Sequence, residues 1–125
     1  DQSVNLAKFV FARLRPSQEP TLQGMVHLLR NYAGGTLGFY SAHASNSFAV
    51  TVFTLCLTKR KYKWLIPLMF FYAVLVSYSR IYLGVHYPGD VLAGMLMGSF
   101  YGFAVSKVFY SVIDWEEIKK SRQNF

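Results

Sequence analysis

Ser79-Arg80-x5-His86-x3-Asp90 places an arginine, a histidine and an aspartate at fixed intervals between two long apolar runs. Ionisable groups at the edge of a membrane-length apolar run are costly and mark function. At average residue usage such a four-residue pattern recurs by chance at roughly one start in 10^5. A phosphoryl group in transfer spreads charge over its equatorial oxygens, so its catalysis is mostly positioning and electrostatic stabilisation. Lys8, Arg15 and Arg80 supply three fixed cations, and the arginine fork matches phosphate oxygens. Ser41 offers a hydroxyl, and backbone N–H groups near Ala42 and His43 add donors at a helix start. Two histidines allow a division of labour: one attacks phosphorus and the other protonates the leaving oxygen. His86 is the better nucleophile, because Asp90 can accept its Nδ1–H and stabilise the cation that forms. His43 is then the acid, and later the base for water. Only Asp1, Glu19 and Asp90 are carboxylates on this side, without a pair at ligand spacing. No metal and no cofactor is therefore implied, the cations taking the part Mg²⁺ plays elsewhere.

Composition says where this chemistry sits. The 125 residues are 53% hydrophobic and 15% charged, against about 25% charged in soluble domains. The net charge of +7 suits an anionic membrane or a nucleic acid; the apolar content decides for the membrane. One cysteine, Cys56, excludes an internal disulfide. The sequence opens without Met, shows no signal peptide, and begins with an apolar run, residues 4–12, too short to cross a bilayer. It is expected to start partway along a helix, with earlier segments outside it.

Residues 3–13 are expected to be helical, ending before Pro16. Residues 16–42 form a loop punctuated by Pro and Gly, with an amphipathic turn around 22–30. A helix is expected over 43–58, capped by Ser41 or Ser45, then a basic turn at 59–63. Residues 64–83 are long enough to span the hydrocarbon layer, and so is a helix over 89–113 with Pro88 at its start. The tail 114–125 is charged and polar. Gly94, Gly98 and Gly102 recur every four residues on one face, a packing seam rather than chemistry. The turn at 59–63 carries four of the thirteen Lys and Arg, which makes it cytoplasmic by the positive-inside rule. Counting spans outward brings Lys8, Arg15, Ser41, His43, Arg80, His86 and Asp90 to one non-cytoplasmic face.

Lys8-x6-Arg15-Pro16, Ser41-Ala42-His43 and Ser79-Arg80-x5-His86-x3-Asp90 together resemble the signature of the type 2 phosphatidic acid phosphatases, which share their site with vanadium haloperoxidases. The resemblance runs from Lys8 to Asp90, and the helical pattern extends it over the chain, read as one domain, 1–125. It implies an all-α transmembrane helical bundle, here the end of the third helix plus helices four to six. It gives Lys8, Arg15, Ser41, Ala42 and Arg80 phosphate-binding roles, and catalytic roles to His43, His86 and Asp90. The phrase from Ser79 to Asp90 is similar to bacterial undecaprenyl-diphosphate phosphatases. The family reads Pro-Ser-Gly-His where this chain has Tyr40-Ser41-Ala42-His43. If position 42 required φ > 0, Ala would cost about 1 kcal/mol or more.

The resemblance implies an integral-membrane lipid phosphatase of the bacterial inner membrane, its site facing the periplasm or exterior. Undecaprenyl diphosphate is the favoured substrate. A degenerate lipid-binding protein and a vanadate-dependent haloperoxidase are the competing classes. Nucleic acid is disfavoured, because the cations divide between both membrane faces. A homo-oligomer, or missing N-terminal helices, would supply further packing. Singly, His43 suits a cap and Lys8 suits snorkelling; their spacing with Arg80, His86 and Asp90 outweighs that. Arg13 and Arg30 are taken as solvated or headgroup contacts, His27 as structural, and Ser79 as a helix-end hydrogen bond.

Overall fold

The computed structural model describes residues 2–22, 35–58 and 62–123, with side chains as far as residue 114. The expected turn around 22–30 beyond Leu22, with His27 and Arg30, and most of the basic turn, residues 59–61, lie outside the described residues. Four α-helices follow in order: α1 (Gln2–Phe11), α2 (Ala42–Leu57), α3 (Leu65–Tyr82) and α4 (Pro88–Gln123). Two short 3₁₀ turns, Pro16–Gln18 and Pro20–Leu22, follow α1. No strand forms among the described residues, only an isolated antiparallel bridge between Leu14 and Leu37.

α1 stops two residues short of expectation. Ala12 takes φ 44°, a left-handed conformation that costs a residue with a Cβ roughly 1–2 kcal/mol. The chain then runs extended through Arg13 to Arg15, where Arg15 N–H donates to Thr36 O at 3.2 Å and Gly38 N–H to Arg13 O at 2.8 Å. Both expected helix starts hold. Ser41 caps α2, its Oγ accepting from Ala44 N–H at 3.4 Å. Pro88 opens α4, where its missing N–H costs nothing. α4 continues past its expected end to Gln123: no Gly or Pro follows Gly102, so nothing local breaks the helix.

α2 packs chiefly against α4 and less against α3. The glycine seam explains the closeness. A Cβ on Gly94 would lie 2.6 Å from Ser41 O, and one on Gly98 or Gly102 would run into the backbone of Ser45 or Ala49. At the far end Tyr110 Oη donates to Cys56 O at 2.9 Å and Leu57 O at 3.2 Å. These contacts advance together along both helices, so α2 and α4 run parallel. Phe48 meets Phe70, and Thr51 donates to Met69 O at 3.3 Å, so α3 runs antiparallel to α2. The start of α2, the end of α3 and the start of α4 therefore share one end of the bundle.

α3 and the Pro88–Asp114 part of α4 are long and apolar enough to cross a membrane, at mean hydropathies of 1.5 and 1.4; α2 is shorter. Only 11% of α3 is buried, so it is not the core helix of a soluble domain. Phe71, Leu75, Leu96 and Phe100 face outward, while Ser45, Thr51, Ser77 and Ser106 are buried. Apolar outside and small polar inside is how helices pack in lipid.

Candidate active site

Lys8, Arg15, Ala42, His43, Arg80, Val85 and His86 line a cavity of about 90 Å³ at the shared end of the helices. That is the share of about three waters in the liquid, a volume suited to one phosphoryl group. The same walls open onto two larger hollows. One, of about 400 Å³, adds Val4, Asn5 and Asn46 beside His43; the other, of about 360 Å³, adds Phe9 and residues 35–37 beside Lys8 and Arg15.

Each wall residue is placed by a helix end or a turn. Lys8 sits in the last turn of α1. Arg15 is on the extended segment beyond it, its Nε donating to Leu37 O at 3.1 Å. His43 is the second residue of α2, exposed at the mouth. Arg80 stands in the last turn of α3, where its Nε donates to Ser79 Oγ at 3.2 Å while Ser79 Oγ donates to Val76 O at 2.7 Å. Ser79 thus makes the expected helix-end bond and also orients the arginine. α3 closes with Gly84 at φ 65°, Gly84 N–H reaching Ile81 O and Val85 N–H reaching Arg80 O. This Schellman ending needs a residue free to be left-handed, and it delivers His86 two residues later. Ala42 is the first residue of α2 and not among the positive-φ positions, so the side chain that replaces the family's glycine carries no backbone strain.

Ser41 and Asp90 stand behind the wall, each wholly buried. Ser41 N–H donates to Asp90 O at 3.0 Å, which ties the start of α2 to the first turn of α4. Asp90 Oδ2 accepts from Tyr87 N–H at 3.0 Å and lies 3.8 Å from His86 Nδ1. That nitrogen is buried with no hydrogen-bond partner. The expected His86–Asp90 pair is thus adjacent but not bonded in this state, and catalytic hydrogen bonds often close only on substrate.

Two residues escaped the sequence reading. Arg13, taken as a solvated or headgroup contact, pairs with Asp90, its Nη1 3.1 Å from Oδ1. Gly38 fits between Arg15 and Asp90; a Cβ there would lie 3.2 Å from Arg15 Cγ and 3.4 Å from Asp90 Oδ2. The usable signal was Arg-x-Arg: in an extended segment residues two apart share a side.

His86 lies in the connection between α3 and α4. Burial, then Arg15, Lys8 and His43, push its pKa down to about 3, against an opposing contribution from backbone hydrogen bonding at Gly38. The ring is neutral at pH 7, with a lone pair available for attack. An unfolded ring takes up a proton near pH 6.5, and the folded ring only near 3. Between those values the unfolded state binds the extra proton, so stability is lost as pH falls, by up to about 1.4 kcal/mol per unit. Thermal unfolding in detergent from pH 7 to pH 4 should show His86→Gln losing less stability than the parent; equal slopes would contradict this.

Among the described residues no group of three His, Cys, Asp or Glu could hold a metal ion.

The lipid A 4'-phosphatase of Bacteroides thetaiotaomicron is 42% identical over 92 residues, covering 73% of this chain and 40% of the relative. That of Porphyromonas gingivalis is 38% identical over 108 residues, covering 86% and 44%. The undecaprenyl-diphosphatase of Sulfolobus acidocaldarius is 40% identical over 100 residues, covering 78% and 44%. The chain thus spans less than half the length of these curated relatives. No solved structure matches it. The apolar outward-facing helices and the motif residues gathered at one end agree with the family model that matches residues 2–114, and the chain is a member of the PAP2 superfamily.

Proposed function

We propose that this chain carries the active site of a membrane lipid phosphatase that cleaves a phosphate ester or diphosphate through a phosphohistidine. The carrying observation is the single pocket walled by Lys8, Arg15, Arg80, His43 and His86. His86 Nε2 attacks phosphorus as the bond to the leaving oxygen breaks, and His43 donates the proton that oxygen needs. Asp90 accepts from Nδ1–H and balances the imidazolium. Water, deprotonated by His43, then attacks the phosphohistidine and releases inorganic phosphate and neutral His86. The three cations hold the equatorial oxygens throughout, without a metal.

The leaving group lies on the acid's side, where the hollow beside His43 has room for it. We place the site on the non-cytoplasmic face of a bacterial inner membrane: the basic stretch 59–63 follows the opposite end of α2. Undecaprenyl diphosphate remains the favoured substrate; a lipid A phosphate is the second reading, favoured by the 42% and 38% identities to lipid A 4'-phosphatases. The charged, histidine and serine side chains of the motifs are all present, with departures only at Tyr40 and Ala42, which speaks against a degenerate binder, and the two lipid-facing spans speak against a soluble haloperoxidase.

The test is phosphate release in detergent from undecaprenyl diphosphate, lipid A, phosphatidic acid and phosphatidylglycerol phosphate, with and without chelator. Release from at least one, undiminished by chelator, is expected. Binding without release from any would favour the degenerate binder, and chelator-sensitive release would contradict the metal-free step.

A further inference from the structure

We infer that Arg13 is a positioning residue for the phosphoryl-transfer step, aiming the Asp90 carboxylate at His86. The inference rests on the phosphatase reading above but concerns a residue at one of the unspecified positions of the first motif. Asp90 is wholly buried, and a buried carboxylate needs a partner charge and filled lone pairs. Its Oδ1 is held by Arg13 Nη1 at 3.1 Å and its Oδ2 by Tyr87 N–H at 3.0 Å. Two anchors on two oxygens fix the carboxylate plane and leave the free side of Oδ2 facing His86 Nδ1, 3.8 Å away. Without Arg13 the group has one anchor and can rotate about its Cβ–Cγ bond.

The guanidinium is itself held in place, with its carbon 4.3 Å from the centre of the Tyr87 ring. The backbone of Arg13 is pinned by Gly38 N–H at 2.8 Å, and the left-handed Ala12 just before it turns the chain out of α1. Arg13 does not line the phosphate cavity, whereas Arg15, two residues on, does. The two arginines therefore divide the work. Arg15 meets the substrate's charge, and Arg13 acts only through Asp90. A planar, two-sided donor stacked on an aromatic ring is a task for Arg that Lys does not fill.

This division predicts a kinetic signature. Arg13→Ala should lower kcat about 10- to 100-fold, the range usual for outer partners of a catalytic group, with KM and inhibition by inorganic phosphate changed less than about twofold. Arg13→Lys, which keeps the charge, should fall between the parent and Arg13→Ala, and it serves as the main reading if the alanine variant does not fold. In an Asp90→Asn background the further change at Arg13 should cost little, because residues acting as a unit are not additive. Arg13 variants with parental kcat, a loss confined to KM, or a full multiplicative loss on top of Asp90→Asn would each overturn the inference. His86→Ala in the same series separates the two claims. If it keeps activity, the nucleophile reading fails; if it is inactive while Arg13 variants are unimpaired, only the Arg13 inference fails.

Discussion

Replacing His86 with Ala should abolish phosphate release, a fall of at least about three orders of magnitude, as loss of a covalent nucleophile does elsewhere. The cause is local. The ring is buried and neutral, with its pKa held near 3, and of the two histidines lining the cavity it is the one beside the Asp90 carboxylate. Lys8, Arg15 and Arg80 remain in the variant, so inorganic phosphate should still bind within a few-fold of the parent. His43→Ala should cost less, about 10²- to 10⁴-fold, and least on substrates whose leaving group is a weak base. Initial rates on one lipid and on one activated phenyl phosphate would check both orderings. An alanine variant at position 86 that retains tens of per cent of activity would move the nucleophile elsewhere.

Gly98→Val should be the most damaging change that touches no site residue. Its Cβ would lie 2.8 Å from the Ser45 carbonyl carbon and closer still to the oxygen. The obstacle is backbone, which cannot swing aside as a side chain does. α2 and α4 must separate, and overpacking of this kind costs typically 1–3 kcal/mol. Activity should fall too, because the same seam one turn earlier sets His43 and Ser41 against Asp90 through the Ser41–Asp90 backbone bond. Gly89→Ala is the matched control: nothing lies within 4 Å of a Cβ there, and Ala favours helix over Gly by about 0.5–1 kcal/mol. Thermal unfolding in detergent should show the valine variant well below the parent and the alanine variant equal or higher. A parental melting point for Gly98→Val would contradict the packing described here.

Some of this was written plainly in the sequence. Pro88 suits the first helical position, and Ser41 was one of two serines suited to cap α2. The spacing of Gly94, Gly98 and Gly102 names a face. It does not name the helix that fills the face, since that depends on what Ser45 and Ala49 present across the seam. The motif residues were legible because charge is expensive near lipid, and their gathering in one pocket follows from the alternating direction of three helices. Arg13 was read only in part, for a physical reason: its side chain is half exposed, as expected of a solvated residue, but it also pairs with Asp90. The pattern of residues 3–13 suits a helix, and nothing local forces a left-handed Ala12; only the pairing of residues 13–15 with 36–38 does. With residues 3–13 read as helix, Arg13 was its last residue and Arg15 lay beyond it; in the extended segment the two share a side. The continuation of α4 to Gln123 is the converse error, a polar tail mistaken for a helix end.

The most direct test is to catch the phosphoryl group on the protein. A lipid labelled in the phosphate to be cleaved would be mixed with enzyme, quenched within milliseconds in alkali, and the peptides mapped. The account predicts label on His86 in the parent, absent in His86→Ala, and accumulating in His43→Ala with an activated substrate, where hydrolysis of the intermediate is slowed. Turnover with no labelled protein at any quench time, or label on another residue, would contradict it.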